Sequence, residues 1–427
     1  MQKYDQYKNS GVEWLGEIPE HWELSRLGTL LNPISTNNRT DLPLLSITRE
    51  KGVILRDLDN EEENHNFIPD DLSNYKMVRK GQFGMNKMKA WQGSYGISDY
   101  DGIVSPAYFI FDVNSKIEPK YFHAAIRSKL YISFFGSASD GVRIGQWDLS
   151  KPRMKQIPFL IPQKKEQIEI ANFLDDKTSK IDQAIAIKQK QIELLKERRQ
   201  ILIYKAVTRG LNDNVKLKDS GVEWIGEIPE HWEVKSLKYC TNIFRGKFTH
   251  RPRNDERLYD GKYPFFQTGD VARAGKFLSE YRQTLNDIGL RVSTLFPKGT
   301  IVMTIAANIG DISILGIDAC FPDSIVGFNP LNYLERDFLY NSLLVMKEQF
   351  MSSTIKNTQM NLNVDRIGTN AIVVPPFEEQ KEIVNYIETA ATKIATAISL
   401  KEQEIEKLKE YKMSLIDGVV TGKVKVS

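Results

Sequence analysis

Cysteine is scarce. The 427-residue chain has two, Cys240 and Cys320, far apart and outside any paired motif, which excludes a disulfide framework. His21 and His231 have no Cys or His at metal-ligand spacing and read as hydrogen-bonded packing residues, so no metal site is expected. No run of about 18 apolar residues occurs, so no membrane span is expected. The opening MQKYDQYKNSGVEW lacks the apolar stretch of a signal peptide, which points to a cytoplasmic protein. Catalytic motifs are missing as well. Gly246-Lys247, Gly275-Lys276 and Gly422-Lys423 lack the rest of a GxxxxGK[ST] phosphate loop, and no GxGxxG or HExxH is present. Asn32-Pro33-Ile34 and Asn329-Pro330-Leu331 do not fit the NPP[YF] motif of adenine methyltransferases. The reading is a non-catalytic chain with no cofactor of its own. A net charge of +3 says little about partners.

What the chain has is a repeat. Residues 8–27, KNSGVEWLGEIPEHWELSRL, return 210 residues later as KDSGVEWIGEIPEHWEVKSL, residues 218–237. A second pair, IPFLIPQKKEQ at 157–167 and AIVVPPFEEQ at 371–380, leads into long segments free of proline. Pro162 and Pro376 fit near helix starts, where a missing N–H costs little. The first segment places Leu174, Thr178, Ile181, Ile185, Lys188, Ile192, Leu195, Arg199 and Leu202 at alternating steps of four and three. The second places Ile387, Ala391, Ile394, Ile398, Lys401, Ile405, Leu408, Lys412 and Leu415 at the same steps. Each position is offset by 213, and even the polar breaks agree, Lys188 answering Lys401. This is the a/d seam of coiled-coil helices, here about 60 Å long.

Between the shared blocks lie two unlike regions, roughly 24–156 and 233–370. Short apolar runs at Leu44–Thr48, Gly102–Phe111, Thr300–Ile305 and Ile312–Ile317 predict strands, and Lys120–Ser128 and Arg336–Gln349 predict helices. The expected fold is mixed α/β: two globular domains joined by two long helices that form a coiled coil, with a pseudo-twofold internal repeat. Expected boundaries are a first globular domain with its shared segment at 1–156, a long helix at 157–208 and a linker at 209–219. The second domain with its shared segment follows at 220–370, and a second long helix and tail at 371–427. Antiparallel helices would create the twofold axis and hold the globular domains at opposite ends. Parallel helices would need a connection along their full length, which the second globular region can supply.

Shared residues serve a task done twice identically; divergent ones serve a task that differs between halves. Two different readers on one scaffold suit duplex DNA, whose backbone has twofold symmetry. The doubled SGVEW and GEIPEHWE blocks, the helix starts and the two variable regions resemble the specificity subunits of type I restriction-modification enzymes, over essentially the whole chain. That resemblance implies two target-recognition domains on an antiparallel coiled coil, which bind an asymmetric two-part duplex site. It implies two methyltransferase subunits on the scaffold and restriction (motor-nuclease) subunits joining them. S-adenosylmethionine, ATP and magnesium are expected in those partners. A methylation-only or differently organised restriction system is an alternative, and a coiled-coil scaffold for proteins rather than DNA is another.

Nucleic-acid signals are local. Leu72–Ser98 has one basic cluster with interleaved aromatics: Lys76, Arg79, Lys80, Lys87 and Lys89 to neutralise phosphates, and Trp91 among them. Asn86 and Gln92 offer amides for base edges. In the second half, Arg245, Lys247, Arg251 and Arg253 do the same; Arg143 in the first half and Lys356 in the second are further candidates nearer the helices. The plain alternative is a solvated basic face. Trp14, Trp22, Trp224 and Trp232, in the shared blocks, are candidates for subunit docking, or for local packing.

Overall fold

The computed structural model describes residues 2–57, 68–141, 147–306, 308–352 and 362–426. The chain is a mixture of helix and strand. Its longest elements are helices Lys164–Arg209, of 46 residues, and Phe377–Val420, of 44. Internal packing divides the chain into two compact units, Met1–Gln189 with Glu402–Ser427, and Lys190–Lys401.

In the first unit the repeated block begins as a hairpin, Tyr7–Asn9 antiparallel to Glu17–Pro19. Its turn needs left-handed backbone at Gly11 and Gly16, with φ of 73° and 65°, which glycine adopts without strain. The Asn9 side chain accepts the Gly11 N–H at 2.8 Å, and Ser10 Oγ accepts that of Val12 at 3.2 Å. The chain then runs through Glu23–Arg26, which pairs antiparallel with Pro158–Ile161 just before the first long helix. Both ends of the variable region are therefore pinned side by side. Inside it, an antiparallel sheet has the order 31–34, 108–113, 83–86, 95–97. Helices Pro119–Ile126 and Lys129–Ser137 cover it. Phe83, Tyr95, Phe122, Tyr131, Phe135 and Phe159 are fully buried in its core.

The second unit builds the same arrangement. Leu217–Asp219 pairs with Glu227–Pro229, and Glu233–Ser236 pairs with Ala371–Val374 before the second long helix. The sheet order is 241–245, 325–330, 301–304, 312–315, with Phe277–Leu278 added parallel at the edge. Helices Arg336–Val345 and Lys347–Ser352 follow. A further four-stranded sheet, 283–285, 259–265, 319–320 and 295–296, has no equivalent among the described residues of the first unit. Two regions with little sequence in common thus share their sheet order.

Several expectations shift. The linker drawn at 209–219 ends in strand Leu217–Asp219, because it already carries one arm of the repeated hairpin. The segments drawn as helix from 157 and 371 open with strands Pro158–Ile161 and Ala371–Val374. Helix Lys120–Ser128 breaks after Ile126, since Ser128 leaves the helical region to cap the next helix at Tyr131 N. Helix Arg336–Gln349 likewise divides, into Arg336–Val345 and Lys347–Ser352. Strand Gly102–Phe111 divides into 102–104 and 108–113, with Pro106 between them.

Along the long helices every predicted seam position is buried or half-buried except Arg199, which is exposed. In the first unit Lys412 Nζ lies 2.6 Å from Asp182, and Lys188 Nζ lies 2.6 Å from Glu404. Partner numbers fall on one helix as they rise on the other. Lys188, a polar break in the seam, therefore carries an ion pair to its neighbour's flank while its stem packs inside. In the second unit, Ile203, Ala206 and Val207 share a core with Ile383, Val384 and Ile387.

One buried group makes the first unit sensitive to acid. His123 Nδ1 accepts the Ile97 N–H at 3.1 Å. Burial, and then the Arg127 guanidinium, push its pKa down to about 4. An unfolded histidine titrates near 6.5, so the folded state holds the neutral ring. Its contribution is complete above pH ~6.5 and is lost as pH falls toward 4, by up to about 3 kcal/mol. Urea midpoints measured across this range should fall less steeply in His123→Gln than in the parent; parallel slopes would refute the assignment.

Candidate nucleic-acid interface and docking segments

The shared blocks converge on one carboxylate per half. Glu166, in the first turn of the first long helix, accepts His21 Nε2 at 2.9 Å and Trp22 Nε1 at 3.1 Å. Glu379, in the first turn of the second, accepts His231 Nε2 at 2.8 Å and Trp232 Nε1 at 2.9 Å. A carboxylate there also faces the positive end of the helix dipole. Tyr4 adds a third donor to Glu166, at 2.5 Å; burial, then that hydrogen bond, raise the phenol well above its usual range. Trp22 and Trp232 are interior, 0% and 1% exposed, so local packing accounts for them and neither reaches a docking surface. Trp14 is different. It is 47% exposed, lies 3.5 Å between ring centroids from Phe134, and lines a shallow hollow with Leu130 and Met413. Trp224 is half-buried, and its carbonyl accepts Tyr204 Oη at 2.7 Å.

The basic residues of the first variable region separate by orientation. Lys76 turns inward: Nζ donates to the Tyr108 carbonyl at 2.7 Å, and burial followed by Lys151 and Lys87 lowers its pKa. Lys87 pairs with Asp148 at 2.9 Å. Asn86 is buried and its Oδ1 accepts the Met88 N–H at 3.1 Å, so the amide oxygen is engaged by the backbone. Trp91 is half-buried, 5.2 Å from the Trp147 ring, and Gln92 is half-buried beside it in sequence. Arg79, Lys80 and Lys89 remain exposed, the first two on the rim of a pocket with Thr36, Gln82 and Asp112. Arg143 lies outside the described residues.

In the second variable region the predicted arginines gather on a residue the sequence did not single out. Arg253 ion-pairs with the Asp323 carboxylate at 2.5 Å, Arg251 lies 3.6 Å from it, and Arg245 Nε donates to the Asp323 carbonyl. Arg251 also donates to the carbonyls of Phe248 and His250, each at 2.8 Å. Asp323 thus holds three guanidiniums, two at its carboxylate and one at its main-chain carbonyl, which leaves a local excess of positive charge. Asp255, held by Arg257 and His250 well below the usual carboxylate range, fixes the loop that carries them. Lys247 is exposed, and Lys356 lies outside the described residues. Sequence spacing gave no sign of Asp323, which is 70 residues from Arg253. Among the described residues no group of His, Cys, Asp or Glu is placed to hold a metal, and no helix is long and apolar enough to cross a membrane.

A family model described as the type I restriction modification DNA specificity domain matches residues 229–410. The chain is 25% identical over 291 residues to the putative type I restriction enzyme MjaX specificity subunit of Methanocaldococcus jannaschii, covering 66% of this chain and 63% of that protein, just under two thirds of its length. It is 26% identical over 310 residues to the MjaVIII specificity subunit of the same organism, covering 69% and 68%. Among solved structures, a chain from a study of complex assembly and conformational transition of the type I R-M system has a TM-score of 0.73 at 16% identity, covering 95% of this chain and 99% of that one. The HsdS subunit from Thermoanaerobacter tengcongensis has a TM-score of 0.56 at 16% identity, covering 97% and 100%. These two likenesses concern the fold. The doubled block, the matched domain and these relatives together make the chain similar to the specificity subunits of type I restriction-modification enzymes.

Proposed function

We propose that this chain recognises an asymmetric two-part duplex DNA site, one half-site by each variable region, and does no chemistry itself. The observation that carries this reading is one sheet order built twice with different surfaces. An exposed pair of cations and a pocket mark the first, and an arginine cluster on Asp323 marks the second. The two target-recognition domains correspond to about 1–156 and 220–370, joined by an antiparallel coiled coil of the long helices. Two methyltransferase subunits bind the shared segments, with Trp14 as the exposed anchor, and restriction subunits join them. S-adenosylmethionine, ATP and magnesium act in those partners.

The test is genome-wide mapping of methylated bases in cells with and without this gene, its methyltransferase partner present. A split motif that appears only with the gene is the expected result. Unchanged methylation beside an active partner would overturn the reading. At the residue level, Lys80→Ala and Lys89→Ala should each weaken duplex binding across sequences and reduce the slope of log affinity against log salt by about 0.9. Unchanged affinity and slope would remove them from the interface, and Lys87→Ala, already paired with Asp148, should change the slope least.

A further inference from the structure

In the second variable region a chain of amides has its polarity fixed from one end. Gln267 caps helix Thr268–Arg273: its side-chain oxygen accepts the backbone N–H of Asp270, and the Asp270 carboxylate accepts the Gln267 N–H at 2.8 Å. Arg273 holds that carboxylate from the other side at 2.6 Å. A backbone N–H can only donate, so the Gln267 oxygen must face it and the Gln267 NH2 must face away. That NH2 donates to Oε1 of Gln283 at 3.2 Å. The Gln283 oxygen is therefore turned toward Gln267, and its own NH2 has no protein partner among the described residues. Amide orientation, ordinarily ambiguous, is settled here by the backbone.

Gln283 is exposed and its main chain is fixed too, since it opens strand Gln283–Leu285 opposite Phe265 in the ladder. Gln283 and Gln267 line one pocket with Arg253, Asn254, Phe248 and Tyr259. Arg253 is held on Asp323. A cation anchored at the rim and an oriented amide in the same hollow are the two parts of a nucleic-acid contact, one for phosphate and one for a base edge.

We propose that Gln283 reads an adenine in the half-site of the second variable region, with Gln267 as its positioning residue. The Gln283 NH2 and the second lone pair of its oxygen form a donor–acceptor pair. Adenine presents the complementary N7 acceptor and N6 donor in the major groove, whereas guanine presents two acceptors there. Arg253 contacts backbone phosphate beside it. This rests on the DNA-reading role proposed above.

The experiment uses the full chain assembled with its methyltransferase partner. Methylation mapping of the parent defines two half-sites, and a parent that directs no methylation overturns both the reading and this inference. Gln283→Ala is expected to lose discrimination at one A·T position of one half-site, by roughly ten-fold or more, leaving the other half-site intact. Gln267→Ala should relax discrimination at that same A·T position, whereas a purely structural loss would weaken binding to every duplex alike. Oligonucleotides carrying 7-deazaadenine at that position, which lack the N7 acceptor, should weaken the parent complex and leave Gln283→Ala unaffected. An unchanged motif in Gln283→Ala, or relaxation at a G·C position, overturns the inference while leaving the two-reader function standing.

Discussion

Gln380→Ala is expected to cost the second unit about 3–5 kcal/mol, a large share of a typical domain's stability. The side chain is 0% exposed, and all its polar atoms are committed. Oε1 accepts the Glu335 N–H at 2.7 Å; Nε2 donates to the carbonyls of Tyr333 at 3.0 Å and Pro375 at 2.8 Å. Removing it leaves three backbone groups without partners, the Pro375 carbonyl buried and the Glu335 N–H and Tyr333 carbonyl partly buried, each at about 1–3 kcal/mol and partly relieved where water can enter the gap. Gln167, 1% exposed, does the same in the first unit, to Glu118 N at 2.7 Å, Pro162 O at 2.9 Å and Lys116 O at 3.2 Å. Both residues tie the start of a long helix to the turn that precedes its variable region's main helix. Gln167→Ala should therefore destabilise the first unit by a similar amount. The two losses should add, because the sites share no partner. Denaturant titration of the full chain followed by circular dichroism gives the answer. A loss below 1 kcal/mol for either change would mean that water replaces the amide at little cost.

These glutamines were visible in the sequence only as part of a matching helix start, with no hint that they were interior. The same holds more widely. The SGVEW and GEIPEHWE blocks stood out because the hairpin, the histidine and the tryptophan do one structural job twice, so the same atoms are needed twice. The heptad seam was legible because core positions on a helix repeat at a fixed spacing. The shared sheet order was not, because a buried strand asks only for apolar residues of suitable size. Phe83-Gly84-Met85-Asn86 and Ile301-Val302-Met303-Thr304 both satisfy that with one identity in four. The interface was the least legible part. A run of lysines does not say which one turns inward, and Lys76, Asn86 and Lys87 prove to be occupied at home. Asp323 and Gln283 are brought to the arginines by strand pairing across tens of residues, a relation that no local pattern carries.

If the long helices set the distance between half-sites, inserting three heptads into each helix should lengthen the preferred spacer by about one turn of DNA. The insertions belong after Gln189 and after Lys401, where the chain passes from one compact unit to the other on each helix. Whole heptads keep every a and d position in phase, so the seam on either side of the insertion is undisturbed. Twenty-one residues add about 32 Å at 1.5 Å each, close to the ~34 Å turn of roughly 10 base pairs. Distance and groove facing are then restored together, which one heptad cannot do: it adds about 10 Å, and the ~3 base pairs that span this rotate the second half-site to another face of the duplex. Methylation mapping should return the same two half-sites with a spacer longer by about 9 or 10 base pairs, and a one-heptad insertion should methylate its best site less completely than either. Both half-sites retained at the original spacer would mean that the helices do not measure the DNA, and that the separation is set by the partner subunits.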